Sequence, residues 1–472
     1  MRFGFEKKTF HASCNDLTYE GKGVVHDGSD VVFVDGMFPG DEGDVTLAYR
    51  RNGQLFGTVA HLSKSSPDRV EPRCKICSAC GGCCFQQYAY SAQLLYKSKK
   101  VKEQFRKVGH LEVNVLPTIG MDDPYYYRNK IQMPFGLDDR GNPYCGFYKE
   151  NTHVIVPVTE CFIQDKRGVH ILSVIKSLLK SFKIPPYIED ERWGVVRHVL
   201  IRTSYYQKQI MVVFVTNVDS FPSRNNFVHE LIKECPEITT VVQNINDRST
   251  NVILGEREHV LYGRGYIEDS LCGVSFQISS KSFYQTNPVM TEILYQKAME
   301  AAKLQPTDVV FDAYSGIGTI GLIASKSVKD VVSVEIIPAA VRDAVSNAKR
   351  NNITNFHEYA DDASSFINRM AQEGKHIDVL FMDPPRKGSD ERFLDAVCRL
   401  KPSRLVYISC DPSTLARDVA YIQKSYKIES IQPVDMFPQS FHEEFDAITD
   451  FEERLAKAEH DRLVEEGVIE LE

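Results

Sequence analysis

Val309-Val-Phe-Asp-Ala-Tyr-Ser-Gly-Ile-Gly-Thr-Ile-Gly321 decides the fold. A β-branched and aromatic run ends in an acid, turns through glycines and passes into a helical pattern. Glycine at such a turn lets the backbone approach a ligand closely at the carboxyl end of a parallel sheet. The next strand-like run, Asp330-Val-Val-Ser-Val-Glu335, closes on a second acid, which can accept hydrogen bonds from two ribose hydroxyls. Gly316, Gly318 and Gly321 also spell a literal G-x-G-x-x-G, with Glu335 near the spacing of a dinucleotide fingerprint. Nicotinamide binding is therefore a rival at this motif, which establishes a nucleotide-like cofactor and no more.

Downstream, two further strands end in chemistry. Ile377-Asp-Val-Leu-Phe-Met-Asp383 runs into Pro-Pro-Arg-Lys-Gly388, where two prolines stiffen the loop behind a carboxylate. Arg404-Leu-Val-Tyr-Ile-Ser409 runs into Cys410, within Ile408-Ser-Cys-Asp-Pro-Ser-Thr-Leu-Ala-Arg-Asp418. Alone, a strand-end cysteine reads as a small buried apolar residue. Asp312, Glu335, Asp383 and Cys410 together, each at the carboxyl end of a strand in one doubly wound sheet, should line one crevice.

Upstream the pattern differs. Residues 1–62 hold short β-branched runs (Val31–Val34, Gly43–Ala48, Leu55–Ala60) parted by Asp-Gly, Pro-Gly and Asn-Gly turns, the pattern of a small OB-type barrel. Residues 63–270 read as a mixed α+β region with strands at Arg197–Thr203 and Gln209–Val215. Residues 271–451 form the cofactor domain, and 452–472 an acidic tail with eight acids against Arg454, Lys457 and Arg462. Lys97 to Lys107 carries six positive residues and one negative, a pattern that suits a solvated helix face. This basic helix, near 92–110, can also pack with the cofactor domain.

The bulk numbers agree with several globular domains. A chain of 472 residues exceeds one ordinary core, and 43% apolar with 25% charged residues excludes disorder and fibre. Its longest apolar stretch, Ile210–Val218, is too short to cross a bilayer, and Met1-Arg-Phe-Gly-Phe-Glu-Lys-Lys lacks the apolar core of a secretory signal. A cytoplasmic protein without membrane contact is expected. Twelve cysteines in a reducing compartment then call for metal, catalysis or burial rather than disulfides. A net charge of −8 requires any nucleic-acid contact to use local positive charge.

Taken in order, Tyr127-Arg-Asn-Lys130, Ser282-Phe-Tyr-Gln-Thr-Asn287, the glycine turn, Asp-Pro-Pro-Arg, the Ser-Cys-Asp-Pro run and Asp435-Met-Phe-Pro438 resemble the uracil-C5 RNA methyltransferase family. With the N-terminal barrel and the cysteine-rich segment, the likeness is to its iron–sulfur branch, which acts on 23S ribosomal RNA. It implies a Rossmann-like S-adenosylmethionine-dependent methyltransferase domain, an N-terminal OB-fold (TRAM) barrel and a central α+β domain with an iron–sulfur site. It also implies roles: Cys410 as nucleophile, Glu444 as general base, Asp383 as a catalytic and cofactor-side acid, and Gln285, Tyr314, Glu335, Asp362, Asp312 and Gly316 at the cofactor. The thiolate would attack C6 of uracil, C5 would take the methyl group, and the base would remove the C5 proton. Nearby positive groups should lower the thiol pKa. Where the family shows His, an apolar residue and Glu, this chain has His442-Glu443-Glu444, so Glu443 competes for the same role.

Cys74, Cys77, Cys80, Cys83 and Cys84 crowd one segment. By spacing, Cys74, Cys77, Cys80 and Cys83 suit zinc as well as iron–sulfur. The resemblance selects a [4Fe–4S] cluster on Cys74, Cys80, Cys83 and Cys161, leaving Cys77 and Cys84 spare. The implied partner is RNA, expected to be 23S rRNA bound by a monomer, with its uridine unpaired or flipped. Tyr125–Tyr127 and Phe283-Tyr284 are candidate stacking rings, and Lys97, Lys99 and Lys100 candidate phosphate contacts. The alternatives are the same chemistry on the T loop of tRNA and a non-catalytic RNA-binding homologue.

Overall fold

The computed structural model describes residues 7–149, 152–189, 191–248 and 252–441; over these the chain forms three larger sheets and a two-stranded hairpin. The three expected N-terminal strands lie within Asp30–Asp35, Glu42–Arg51 and Gln54–Lys64. Thr9–Ser13, Asp16–Leu17 and Gly23–Asp27 complete a six-stranded sheet. The outermost strands of this sheet are Thr9–Ser13 and Asp16–Leu17, which follow one another in the chain. The sheet therefore curls until its two ends meet at Cys14 and Asn15. Alternation supplies the filling: Val25, Val32, Val34 and Val45 point inward with Cys14 and Met37 and are buried.

The helix Tyr90–Lys107 follows the cysteine-rich segment. Its basic residues divide between two settings: Lys99, Lys102, Arg106 and Lys107 are exposed, as a solvated face requires. Lys97 and Lys100 are buried, Lys97 paired with Asp435 at 2.5 Å and Lys100 donating to the Phe441 carbonyl at 3.2 Å. Lys99 bonds Asp16 of the first sheet at 2.7 Å. Lys97, Lys99 and Lys100 thus join parts of the protein. Beyond its end, Gly109 lies so close to the Pro412–Ile422 helix that a Cβ there would meet the Ala416 carbonyl at 2.9 Å.

Seven strands form the central sheet, in the order Arg257–Tyr262, Thr240–Ile245, Ile210–Thr216, Val196–Thr203, Lys130–Leu137, Pro143–Tyr148, Ile155–Pro157. The middle pair is buried along its whole length, Ile210–Thr216 as a nearly unbroken apolar run and Val196–Thr203 with Arg197, His198 and Arg202 buried among its apolar residues. The helices Lys166–Ser181 and Arg224–Glu234 share their core.

The last sheet is parallel throughout, with strands in the order Phe356–Ala360, Asp330–Glu335, Val309–Ala313, Val379–Met382, Arg404–Tyr407. Phe356–Ala360 was not expected from sequence; His357 and Glu358 break its apolar pattern. Val310, Val331 and Val379 feed one core, Phe311, Val334 and Leu380 the other, so both faces are covered. Chain order reverses between Val309–Ala313 and Val379–Met382, which opens a crevice between the glycine turn and Asp383. Among the described residues, no helix is long and apolar enough to cross a membrane.

Candidate active site

At the carboxyl edge of the parallel sheet lies a cavity of about 1560 Å³. Gln285, Tyr314, Gly316, Glu335, Asp362, Asp383 and Cys410 all line it. Residues spread over 125 positions of sequence therefore meet at one opening, all but Gln285 because they end a strand of the parallel sheet or lie in the connection after it, and Gln285 from the loop before the helix Pro288–Ala302.

The glycine turn builds one wall. Tyr314, Gly316 and Gly318 adopt left-handed backbone (φ 64°, 57° and 81°), a conformation costly for most side chains and free for glycine. A Cβ on Gly316 would meet nothing within 4 Å, whereas one on Gly321 would strike Ser333 Oγ at 2.8 Å and Asp312 Oδ2 at 2.9 Å. Gly316 thus keeps room for a ligand, and Gly321 keeps the helix against the sheet. Glu335 accepts from the Gly316 N–H at 3.0 Å and the Ile337 N–H at 2.8 Å, and burial raises its carboxyl pKa. Each oxygen retains acceptor capacity for a hydroxyl.

Asp312 is placed otherwise. It is fully buried behind the wall, where it accepts from the Gly321 N–H at 2.8 Å, and it does not line the cavity. It anchors the turn that the cofactor would touch. Burial pushes its carboxyl up to about 8, with the nearby charges of Asp383 and Glu335 adding to the rise. Asp362 caps the helix Ala363–Gln372, accepting from Ser365 at 2.8 Å, while still facing the cavity.

Asp383 and Cys410 face the opening from the ends of neighbouring strands. Burial pushes Asp383 up to about 7. The Cys410 thiol is pushed up to about 12, chiefly by burial, then by Asp383 and Asp411; Arg386 opposes them and loses. The sequence led us to expect a lowered thiol pKa. The difference is physical: two carboxylates and a dry site outweigh one guanidinium.

Other expectations sort by place. Glu443 and Glu444 lie outside the described residues. Phe283 and Tyr284 both border the cavity, Tyr284 with its ring buried in the core, and Tyr127 is buried with its hydroxyl donating to the Pro438 carbonyl at 3.0 Å. Tyr125 and Tyr126 stack under Arg73 and Lys166 instead (3.9 and 4.0 Å). Sequence reasoning missed Asp418, which is buried and accepts from the Ser389 N–H at 2.8 Å and the Tyr407 hydroxyl at 2.7 Å, tying the Asp-Pro-Pro loop to the cysteine loop. Its position closing the Ser-Cys-Asp-Pro run was the available signal.

Cys74, Cys77, Cys80, Cys83 and Cys161 line a second, small cavity of about 20 Å³, and Cys84 does not. Burial raises the thiols of Cys77, Cys80, Cys83 and Cys161. Cys77, spare by the resemblance, therefore shares the wall.

Comparison with known proteins agrees with this geometry. A family model described as tRNA (Uracil-5-)-methyltransferase matches residues 89–449. An uncharacterized RNA methyltransferase of Oceanobacillus iheyensis is 40% identical, over 91% of this chain and 94% of its own length. One from Clostridium acetobutylicum is likewise 40% identical over the same shares. The crystal structure of Pyrococcus abyssi tRNA (uracil-54, C5)-methyltransferase with S-adenosyl-L-homocysteine superposes with a TM-score of 0.74 at 25% identity, covering 92% of this chain and 98% of that one.

Proposed function

The chain belongs to the tRNA (uracil-5-)-methyltransferase family, S-adenosylmethionine-dependent enzymes of RNA, and from that premise we propose that it methylates C5 of a uridine in 23S rRNA. The observation that carries the chemistry is the meeting of Cys410 and Asp383 in one cavity with the Glu335 wall. S-adenosylmethionine supplies an electrophilic methyl group when bound. The residues fit it: Gly316 leaves open space, Glu335 offers acceptors to ribose hydroxyls, and Gln285, Tyr314 and Asp362 border the same space.

The protein's own part falls to three side chains. Cys410, as thiolate, attacks C6 of the uracil, which moves charge onto the O4 side of the ring and makes C5 nucleophilic. Asp383, pushed up to about 7, holds a proton for a good part of the time at neutral pH and can donate it in a hydrogen bond to that developing enolate. Glu444 takes the proton from C5 after methylation, and expulsion of the thiolate then restores the ring. A base stacked inside a helix could not reach Cys410, so the uridine is unpaired or flipped, with Phe283 as the cavity's stacking ring.

The choice of ribosomal RNA rests on the N-terminal sheet, read as a TRAM-type barrel of OB kind, and on the cysteine site. We assign Cys74, Cys80, Cys83 and Cys161 to a [4Fe–4S] cluster with a structural role. Tetrahedral zinc with thiolates at ~2.3 Å needs sulfurs about 3.8 Å apart. Among the described residues, only His170, Cys235 and Glu237 bring three donor atoms within 4.8 Å of one another; the cysteine sulfurs form no such group. The choice of the iron–sulfur cluster rests on the family resemblance. The tRNA T loop is the second reading, favoured by the likeness to the Pyrococcus abyssi enzyme.

The test is incubation with methyl-labelled S-adenosylmethionine and unmodified 23S rRNA, 16S rRNA and tRNA, comparing wild type with Cys410→Ala. Label in 5-methyluridine of 23S rRNA, lost in the variant, is expected. Label in tRNA alone would overturn the substrate, and label that survives Cys410→Ala would overturn the mechanism.

A further inference from the structure

Beside Cys410, three parts of the protein converge on one carboxylate. Asp411 follows the nucleophile directly and caps the Pro412–Ile422 helix, accepting from Ser413 at 2.8 Å and Thr414 at 3.1 Å through Oδ1. Its Oδ2 faces Arg386 of the Asp-Pro-Pro-Arg loop at 3.5 Å. The Tyr19 hydroxyl, from the end of the N-terminal sheet, lies close to the same carboxylate, whose charge adds to burial in raising the tyrosine pKa.

Tyr19 is held there from behind. The Lys100 ammonium lies 3.7 Å from its ring centroid, within cation–π range, and donates to the Phe441 carbonyl, three residues before Glu444 in sequence. The Tyr96 hydroxyl bonds the carbonyls of Thr18 and Tyr19 at 2.8 and 2.9 Å, and Lys99 grips Asp16. The residue is thus fixed by the helix Tyr90–Lys107 and aimed at the nucleophile loop.

We propose that Tyr19, backed by Lys100, is a positioning residue for Cys410: its hydroxyl engages Asp411, which leaves the Arg386 charge for the thiolate. The inference rests on the function proposed above for Cys410. The electrostatics give it direction. Asp383 and Asp411 disfavour the Cys410 thiolate and Arg386 favours it. Facing Lys100 are Lys97, Asp411, Cys84 and Arg386. A hydrogen bond to Asp411 spreads that carboxylate's charge onto the tyrosine. Without it Asp411 draws harder on Arg386 and presents more negative charge to the thiol.

The experiment is the pH dependence of Cys410 modification in the full-length protein by a small methanethiosulfonate, mapped by mass spectrometry because the chain has twelve cysteines. Wild type is compared with Tyr19→Phe, which keeps the ring over Lys100, and with Lys100→Met, which keeps the hydroxyl. We expect Tyr19→Phe to slow modification about tenfold between pH 7 and 9, and Lys100→Met to shift it the same way by less. Turnover of methyl transfer should fall with Tyr19→Phe while KM for S-adenosylmethionine stays constant. Unchanged thiol reactivity in Tyr19→Phe would overturn the proposal, and so would a loss seen in Lys100→Met alone. The modification assay needs no RNA, so failure to find methylation would count against the function and leave this result standing.

Discussion

At the scale of the residue, the site separates groups that meet a ligand from groups that hold those groups in place. Cys410 and Asp383 were legible in the sequence because strand-end position in a parallel sheet already says where a side chain faces. Asp312 was misplaced for the same reason: adjacency to the glycine turn looks like contact, but an in-pointing position puts the carboxyl behind the turn, bonded to Gly321 at 2.8 Å. The environment of Cys410 was not legible, since Asp411 and Arg386 act through distances that only folding sets. One consequence is measurable. With its thiol near 12, free Cys410 should react with iodoacetamide at pH 7.5 roughly a hundredfold or more slowly than an ordinary cysteine. An ordinary rate would mean that the site is wetter than its burial implies. On the opposite wall, Glu335→Gln keeps the shape and removes the charge. Hydrogen bonds to charged groups contribute about 1.5–3 kcal/mol, so S-adenosylmethionine affinity should fall roughly tenfold to a hundredfold. Calorimetric titration reads this directly, and an unchanged affinity would remove Glu335 from the cofactor site.

At the scale of the element, the cofactor turn rests on buried acids. Asp312, Ser333 and Glu358 are in register across three adjacent strands. Glu358 accepts from Ser315 at 2.7 Å, and burial pushes its carboxyl up to about 9. Both carboxyls bind their protons more tightly folded than unfolded. Their contribution to stability is complete below the unfolded carboxylate range, near pH 4, and is lost as pH rises toward about 8 to 9. Thermal midpoints should therefore fall between pH 6 and pH 9, and D312N/E358Q should flatten that slope. An equal slope in wild type and variant would show that these acids ionise without cost. Glu358 also explains why its strand escaped the sequence reading. A polar residue that serves the turn interrupts the apolar run by which buried parallel strands are recognised.

At the scale of the whole molecule, the organising element is a segment with little regular structure, Val434 to Phe441. Asp435 receives Lys97 at 2.5 Å and the Tyr90 hydroxyl at 2.9 Å. Asn287 donates to the Met436 carbonyl at 3.1 Å, Tyr127 to that of Pro438, and the Phe85 N–H to that of Gln439 at 3.1 Å. The cysteine-rich segment, the Tyr90–Lys107 helix, the Tyr-Arg-Asn-Lys run and the cofactor domain thus all grip the stretch that leads to Glu444. The sequence supplied each motif separately, and their convergence came only with the fold, because the partners lie 149 to more than 300 positions apart. Lys97→Met would leave a fully buried carboxylate without its cation, a loss of about 3–5 kcal/mol, which chemical denaturation would register. The cysteine site acts on the same stretch from a distance. Cys83 and Phe85 are two residues apart, and Phe85 holds Gln439. Loss of the proposed cluster ligand in Cys161→Ser should slacken that hold, and with it the placement of Glu444, while the Gly316–Glu335 wall, built from the parallel sheet, stays intact. Cys161→Ser should therefore bind S-adenosylmethionine as wild type does in calorimetry and yet lose most turnover. Parallel loss of both would show instead that the cysteine site supports the entire fold, and full turnover would show that it supports neither.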